Sequence, residues 1–276
     1  YLIKVEEDIG YSQASLVEPW ACIEASYDRA DIQPHDDIVW VIGGGGPMGQ
    51  MHIQRTISLA ENGKIPALTK LIVSDVSGDR LAAVARRFGE STRKLGAELV
   101  TLNPLEGDFD AEMKRVAPDG AAYSIACAQI PDVIRDSLKH LRRYGVCNLF
   151  AGIKRGTGQV YLGDIHYDQH TITGNSGSRL ADMENVLRMT ERGEMDTNAS
   201  AGAVVGMKAC ADGVKAVADG SITNKTVLYP QLVDLPLTRL EDLPAIVDFS
   251  PAVKSAVEQG KWSKLAEKEM LESLLP

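Results

Sequence analysis

The chain has 276 residues, of which 44% are apolar, and a formal net charge of −9. The apolar share is enough for one large domain or two small ones, and the negative charge argues against nonspecific binding to nucleic acid or to anionic membranes. Four widely spaced cysteines without a Cys-x-x-Cys pair argue against structural zinc and disulfides and favour a cytoplasmic setting. No apolar run reaches the length of about 18 residues that a membrane span needs.

The segment before the first buried strand is expected to hold a strand and a helix. Residues 1–11 are interpreted as a strand with a polar tail, and residues 12–30 carry apolar side chains at helical spacing. Ser12 is a suitable N-cap for that helix, and Pro19 marks either its first turn or a break. Because the sequence opens on Tyr1 rather than Met, we expect it to be part of a longer protein.

A glycine-rich turn separates the first strand from the next helix. Residues 38–42 are an apolar run typical of a buried parallel strand, and a helix is predicted over 48–59. Between them, Gly44, Gly46 and Gly49 form the pattern Gly-x-Gly-x-x-Gly. The first glycine allows a sharp turn, the second allows a pyrophosphate to approach the backbone, and the third allows close helix packing. The start of the helix would then face the anion, although four consecutive glycines are also compatible with a merely flexible turn.

Strands and helices alternate after this turn. The predicted strands are 71–75, 98–102, 123–127, 145–150 and 171–174, and the helices between them are 78–95, 109–117 and 131–142. This alternation predicts an α/β fold with a doubly wound, parallel, six-stranded Rossmann sheet whose carboxyl ends share one ligand-binding edge. Further along, we expect helices near 179–192 and 207–219, a strand at 225–229 and an amphipathic C-terminal helix.

An acidic residue closes the second predicted strand. Asp75 can accept hydrogen bonds from the hydroxyls of an adenine ribose. It lies 26 positions past Gly49, more than the usual spacing of about 20, and a loop over residues 61–70 would account for the excess. A carboxylate there repels a 2′-phosphate, so NAD is favoured over NADP. Arg80 keeps NADP open, and the alternative role for Asp75 is to cap the next helix.

Six short segments occur in a specific order along about residues 12–230: 15–22, 44–49, 74–81, 138–145, 173–176 and 220–225. In these segments the chain resembles the cofactor half of the zinc-type medium-chain dehydrogenases, the family of alcohol, sorbitol and threonine dehydrogenases. Residues 44–49, Gly-Gly-Gly-Pro-Met-Gly, are similar to the family's Gly-Ala-Gly-Pro-Ile-Gly turn. Residues 16–19, Leu-Val-Glu-Pro, are similar to its Leu-x-Glu-Pro helix.

The resemblance implies an NAD-dependent oxidoreductase that acts on a secondary alcohol, a polyol or a sugar phosphate. It also implies a homodimer or homotetramer in which sixth strands pair edge to edge. The expected cofactor-binding residues are Gly44, Gly45, Gly46, Pro47, Met48, Gly49, Asp75, Val76, Arg80, Cys127, Ala151, Gly152, Ile153, Asn175 and Ser176. For Ser176 and the nearby Ser178, a bond to the nicotinamide carboxamide and a simple turn are equal alternatives.

Two features depart from the family. The N-terminal barrel, which supplies a zinc-binding Cys, a His-Glu pair and a four-cysteine lobe, has no counterpart here, so we expect no catalytic residue in this chain. Glu18 would either bind zinc, and then only in the intact enzyme, or cap or pair locally. Residues 231–276 extend past the family's usual end and are similar to the longer sugar-phosphate reductases, such as sorbose-1-phosphate reductases. The predicted organisation is a linking segment (1–37), an NAD-binding domain (38–178) and a C-terminal return (179–276).

Three alternatives stay open. His166 and His170 could bind a metal if their stretch were helical, but a loop is favoured. The chain could be a nucleotide-binding module without catalysis, serving as an NAD sensor or a structural subunit. A methyltransferase that binds S-adenosylmethionine on a similar sheet is disfavoured by the Pro-Met after Gly46 and by the strand order.

Overall fold

A computed structural model describes residues 2–275, which form two compact units. One unit is residues 22–177, and the other combines the described parts of 1–21 and 178–276. The predicted domain ranges 1–37, 38–178 and 179–276 remain predictions.

The chain alternates helices and strands over most of its length. The helices are α1 (Tyr11–Ser15), α2 (Val17–Ala30), α3 (Pro47–Glu61), α4 (Gly78–Lys94), α5 (Phe109–Val116), α6 (Pro131–Ser137), α7 (Leu162–Asp168), α8 (Leu180–Glu191), α9 (Cys210–Ala218), α10 (Pro251–Val257) and α11 (Lys264–Leu274). The strands are β1 (Ile38–Ile42), β2 (Lys70–Ser74), β3 (Glu98–Leu102), β4 (Ala121–Ala126), β5 (Leu141–Leu149), β6 (Thr171–Gly174), β7 (Ala201–Gly206), β8 (Lys225–Tyr229) and β9 (Thr238–Arg239). Three short 3-10 helices complete the set, at Leu138–His140, Thr197–Ser200 and Leu240–Ala245.

Residues 22–177 contain a six-stranded parallel sheet in the order β3-β2-β1-β4-β5-β6. The predicted α/β doubly wound fold is therefore confirmed. The most buried strands, β1, β2 and β4, lie inside the sheet, as expected for uninterrupted apolar runs covered on both faces. The strand order reverses beside β1, which is where such sheets bind ligands.

Helices α2 and α3 are joined by buried polar contacts. Arg55 donates to Glu24 from Nε at 2.7 Å and from Nη2 at 2.5 Å, and both side chains are buried. Burial raises the pKa of Glu24, against the lowering effect of Arg55. The Tyr27 hydroxyl donates to the His52 carbonyl at 3.1 Å. These contacts hold α3 in place and thus fix the helix that follows the glycine turn.

The second unit carries a small sheet, in which β7 pairs with β8 in parallel and with β9 in antiparallel fashion. The two segments of this unit are joined at Glu267 of α11. Its buried carboxylate accepts hydrogen bonds from the backbone N–H groups of Tyr11 and Ser12, each at 2.7 Å. The same carboxylate accepts the Tyr229 hydroxyl at 2.6 Å. Because the N-cap residue of α1 is Gly10, which has no side-chain acceptor, Glu267 supplies the cap from another helix.

Several local expectations are wrong. Residues 2–10 contain no strand, since acidic residues 6–8 interrupt the apolar pattern, and residue 1 lies outside the described residues. Ser12 is not an N-cap, because α1 begins at Tyr11; its hydroxyl instead accepts a bond from Trp262 at 3.2 Å. For Pro19, in contrast, the first of the two alternatives is confirmed, since it lies in the first turn of α2, where its missing N–H is tolerated.

Some helices and strands of the structure were not expected from the sequence. The expected loop before β6 contains α7. Strands β7 and β9 were not predicted, because β7 is built largely of alanine and glycine and β9 has only two residues. The expected C-terminal helix is two helices, α10 and α11.

We predict that Glu267→Ala lowers the free energy of unfolding by about 2–4 kcal/mol, because two backbone N–H groups and a buried hydroxyl lose their acceptor. Urea denaturation of both proteins measures the difference. The matched control is Glu272→Ala on the same helix, which removes an exposed ion pair with Lys268 and should change stability by less than about 0.5 kcal/mol. Equal effects of the two substitutions would contradict the capping role of Glu267.

Candidate functional site

The glycine turn is held at the carboxyl end of β1. The N–H groups of Gly43 and Gly44 donate to the Ser74 carbonyl at 2.8 and 3.0 Å. A Cβ added at Gly49 would lie 2.5 Å from Gly44 Cα and 2.6 Å from the Gly43 carbonyl oxygen, distances that side chains do not reach. Gly44 has no room for a side chain either, since a Cβ there would overlap Val73. These two glycines therefore allow the turn to pack against α3 and β2.

Gly46 differs from its neighbours. A Cβ added there would meet only the Gly43 carbonyl oxygen within 4 Å, at 3.8 Å. Its backbone is extended, with φ −79° and ψ 171°, a conformation open to any residue. Packing inside the chain therefore gives no reason for a glycine at this position, which is the N-cap of α3. The space in front of Gly46 has the form expected where an anion approaches a helix start.

Asp75 lies directly behind the turn. Its Oδ2 accepts the Gly45 N–H at 3.0 Å and its Oδ1 accepts the Ser77 N–H at 3.0 Å. The carboxyl group is buried. A Cβ added at Gly45 would lie 2.8 Å from Asp75 Oδ2 and 2.7 Å from Arg80 Cβ. Glycine at position 45, in place of the alanine in the family's turn, thus leaves room for the carboxylate against the backbone.

The other expected residues follow the neighbouring strands at the same edge. Cys127 comes after β4 and donates its N–H to the Ile42 carbonyl at 2.8 Å, while Ala151 comes after β5 and donates to Ala126 at 2.8 Å. Burial raises the pKa of the Cys127 thiol to about 12, so this thiol is not poised as a nucleophile. A Cβ added at Gly152 would meet nothing within 4 Å. Four strand intervals separate the ends of β2 and β6, which corresponds to about 19 Å along the edge.

Asn175, after β6, is held by α2. Its Nδ2 donates to the Cys22 carbonyl at 3.1 Å, and its Oδ1 accepts from Arg29 Nη1. Its backbone N–H donates to Leu149 at 3.2 Å. The side chain therefore braces the end of β6 against α2. The next residue, Ser176, is exposed at the same edge.

The remaining adenosine-side residues lie near Asp75. Val76 is exposed to 59%. Arg80 donates its backbone N–H to the Ser77 hydroxyl at 3.3 Å, which caps α4. The capping role that is the alternative for Asp75 is thus divided: Ser77 is the N-cap, and Asp75 holds the Ser77 backbone.

His52 lies on α3 beneath this edge, fully buried against Phe150 and Tyr27, with ring centroids at 4.4 and 5.5 Å. Neither ring nitrogen has a hydrogen-bond partner within residues 2–275. Burial lowers the pKa of His52 from 6.5 to about 3, so the ring is neutral at physiological pH.

The zinc expected for the intact family finds no ligand set in the described part of the chain. Glu18 is exposed in the first turn of α2. Within residues 2–275, no three His, Cys, Asp or Glu side chains are placed to hold a metal ion. His166 and His170 do not share a helix face, because α7 ends at Asp168 and Gln169 turns away with φ 53°. The residues present do not fit zinc, and we derive no chemical step through it.

One polar side chain at the turn escaped the sequence analysis. Gln50 of α3 is buried and donates from Nε2 to the Gly45 carbonyl at 3.1 Å. Arg87 of α4 donates to Gln50 Oε1 at 3.1 Å. The available signal was a polar residue among the apolar positions of a predicted core helix.

The chain is similar to known proteins. Residues 67–192 match the family model described as zinc-binding dehydrogenase, which begins just before β2 and ends just after α8. The resemblance to the zinc-type medium-chain dehydrogenases is confirmed. The match covers the strands from β2 to β6, and β1 and the glycine turn precede it in the sequence.

A curated relative extends the similarity over nearly the whole chain. The mannitol-1-phosphate 5-dehydrogenase of Aliivibrio fischeri (strain ATCC 700601 / ES114) is 26% identical over 283 residues, which cover 95% of this chain and 65% of the relative. The chain therefore spans 65% of the length of this relative.

Solved structures agree on the fold. A short chain alcohol dehydrogenase of Escherichia coli CFT073, complexed with NADH, aligns with a TM-score of 0.66 and 14% identity over 82% of this chain and 61% of that chain. A putative zinc-binding dehydrogenase of Sinorhizobium meliloti 1021, bound to NADP, aligns with a TM-score of 0.62 and 15% identity over 83% and 62%. At these identities the likeness establishes the fold alone.

None of the helices within residues 2–275 combines the length and the apolar composition that a membrane-spanning segment requires.

We predict that His52 makes the protein less stable as the pH falls. Above pH 6.5 the His52 ring is neutral in both the folded and the unfolded chain, so its contribution to stability is fully present. Below pH 6.5 the unfolded chain binds a proton at this ring, whereas the folded chain does not bind it until about pH 3. His52→Leu should therefore lose about 2 kcal/mol less free energy of unfolding than the parent between pH 7 and pH 5, at about 1.4 kcal/mol per pH unit. Urea denaturation at both pH values gives the comparison. His166→Leu, at an exposed histidine, is the control, and identical pH profiles for parent and His52→Leu would contradict the prediction.

Proposed function

We propose that this chain is the cofactor-binding part of an NAD-dependent oxidoreductase that acts on a secondary alcohol, a polyol or a sugar phosphate. The observation that carries the proposal is the contrast within one turn. Neighbouring atoms leave no room for a Cβ on Gly44, Gly45 or Gly49, whereas a Cβ on Gly46 would lie in open space. Internal packing therefore explains why glycine occurs at the first three positions. At Gly46 an approaching pyrophosphate explains the glycine.

The described residues fit a dinucleotide along the sheet edge. The start of α3 at Gly46 would bind the pyrophosphate, Asp75 would accept the adenine-ribose hydroxyls, and exposed Val76 would lie against the adenine. The backbone of Ala151–Ile153 and the end of β6 would orient the nicotinamide. A bound nicotinamide ring supplies the carbon that accepts or donates a hydride. The contribution of this chain is to fix that carbon in position.

The relative and the family resemblance support the proposed substrate class. The Aliivibrio fischeri relative is named for mannitol 1-phosphate, and residues 231–276 are similar to the longer sugar-phosphate reductases. We therefore favour a polyol or sugar phosphate among the secondary alcohols. A cytoplasmic location belongs to the same proposal, since nicotinamide cofactors and their substrates are small soluble metabolites.

We predict that Gly46→Ala keeps the stability of the parent but weakens NADH binding at least tenfold, because its methyl group enters open space where the phosphate would lie. Calorimetric titration with NADH and thermal denaturation test both parts. Gly89→Ala, at a half-buried position in the middle of α4 where a Cβ would meet nothing within 4 Å, is the matched control and should bind NADH normally while stabilising the helix by up to about 1 kcal/mol. A Gly46→Ala protein that bound NADH like the parent would overturn the phosphate assignment.

A further prediction concerns the choice between NAD and NADP. The parent should bind NADH at least tenfold more tightly than NADPH, because the Asp75 carboxylate repels a 2′-phosphate. Asp75→Ser should narrow this ratio about tenfold or more, since a charged acceptor of the ribose hydroxyls is lost. Asp79→Ser, at an exposed carboxylate in the first turn of α4, should leave the ratio unchanged. Tighter binding of NADPH by the parent would reverse the preference.

The alternative from another class is a nucleotide-binding module without catalysis. Dehydrogenase assays of this chain do not separate it from part of an enzyme. The coding sequence upstream of Tyr1 does: a Cys followed by a His-Glu pair supports the oxidoreductase, and a different upstream sequence supports the module.

We also propose a homodimer or homotetramer. Strand β6 is the last strand of the six-stranded sheet, and its residues are exposed or half-buried. An open strand edge can pair with a second copy of itself. Analytical ultracentrifugation at micromolar concentration tests the assembly, and a monomer throughout would contradict it.

A further inference from the structure

Gly45 is held from both sides by side chains. Its N–H donates to Asp75, and its carbonyl accepts from Gln50 Nε2 at 3.1 Å. Gln50 lies one residue beyond the glycine pattern and is buried, with 4% of its surface exposed. The position of the Gln50 side chain is therefore fixed by its place on α3 and by its hydrogen bond to the turn.

The orientation of the Gln50 amide is fixed chemically. Arg87 donates to its oxygen at 3.1 Å, and a guanidinium has only donors. The Gly45 carbonyl has only lone pairs, so it must face the amide nitrogen. A row of contacts thus runs from Arg87 on α4 through Gln50 on α3 to the turn.

Holding the Gly45 carbonyl also orients the next N–H. In a trans peptide the carbonyl of one residue and the N–H of the following residue point in opposite directions, and residues 2–275 contain no cis peptide. When Gln50 binds the Gly45 carbonyl, the Gly46 N–H must point away from Gln50. Pro47, the next residue, has no N–H to offer. The direction of the Gly46 N–H therefore matters more here than at an ordinary helix start.

We propose that Gln50 is a positioning residue for the pyrophosphate of the cofactor, acting through the Gly45–Gly46 peptide, with Arg87 holding its amide. The inference rests on the proposed function and deepens it. Gln50 touches no cofactor atom itself. It keeps the turn in the conformation that presents the Gly46 N–H to the phosphate, so the conformational cost is met before the ligand arrives.

Gln50→Glu tests this role. The variant keeps the size of the side chain and its contact with Arg87, but a carboxylate does not donate to the Gly45 carbonyl. We expect the thermal unfolding midpoint to stay close to that of the parent. The Kd for NADH should rise about tenfold by calorimetry, whereas the Kd for adenosine, which has no phosphate, should change less than twofold by ligand-observed NMR. Gln54→Glu, one turn further along α3 and half-buried, is the matched control and should bind both ligands like the parent.

The outcomes are distinguishable. An unchanged Kd for NADH in Gln50→Glu, or an equal loss of NADH and adenosine binding, would overturn the positioning role while leaving the proposed function intact. A parent protein that binds neither NADH nor NADPH would overturn the proposed function and this inference with it. If Gln50→Glu does not fold, Gln50→Met, of similar length, replaces it. Unfolding of both variants would assign Gln50 to the core and overturn the proposal.

Discussion

The contact between Gly49 and Gly44 sets the geometry on which the site depends. Since no Cβ fits between them, the first turn of α3 lies directly against the turn that leaves β1. This close approach aims the start of α3 at the sheet edge and brings Gly45 onto Asp75. The buried Glu24–Arg55 pair then holds α3 from the side of α2. Breaking such a pair on one side costs several kcal/mol, because an uncompensated buried charge remains.

The sheet edge gathers residues that are far apart in the sequence. Parallel strands end together, so each loop that follows a strand reaches the same edge. The turn after β1, Asp75 after β2 and Ala151 after β5 all lie at this edge, and each makes hydrogen bonds with a neighbouring strand or its loop. Asn175 after β6 is in addition held by Arg29 and Cys22 on α2. The end of β6 is therefore braced by a helix that precedes the whole sheet in the sequence.

The sequence predicts the sheet well because its signals are local. The run at 38–42 is apolar throughout, and strands β1, β3, β6 and β8 have the expected bounds. Strand β7 escapes because small residues give it no clear periodicity. Within the site, glycines and Asp75 are visible in a pattern of fixed spacing. Gln50, Arg87 and the Asn175 brace are not visible, since their roles depend on contacts between residues up to 153 positions apart.

The capping of α1 by Glu267 affects the order in which parts of the protein fold during synthesis. It caps α1 at Tyr11 and Ser12 across 255 or more residues of chain, and the whole of residues 22–177 is synthesised between the two partners. Domains tend to fold as the chain leaves the ribosome, and the chain is synthesised at about 5–20 residues per second. The six-stranded sheet can therefore form first, whereas α1 must wait about 10–50 seconds for the carboxylate that completes it. During this interval α1 lacks its cap, so the synthesis of α11 decides when α1 becomes stable.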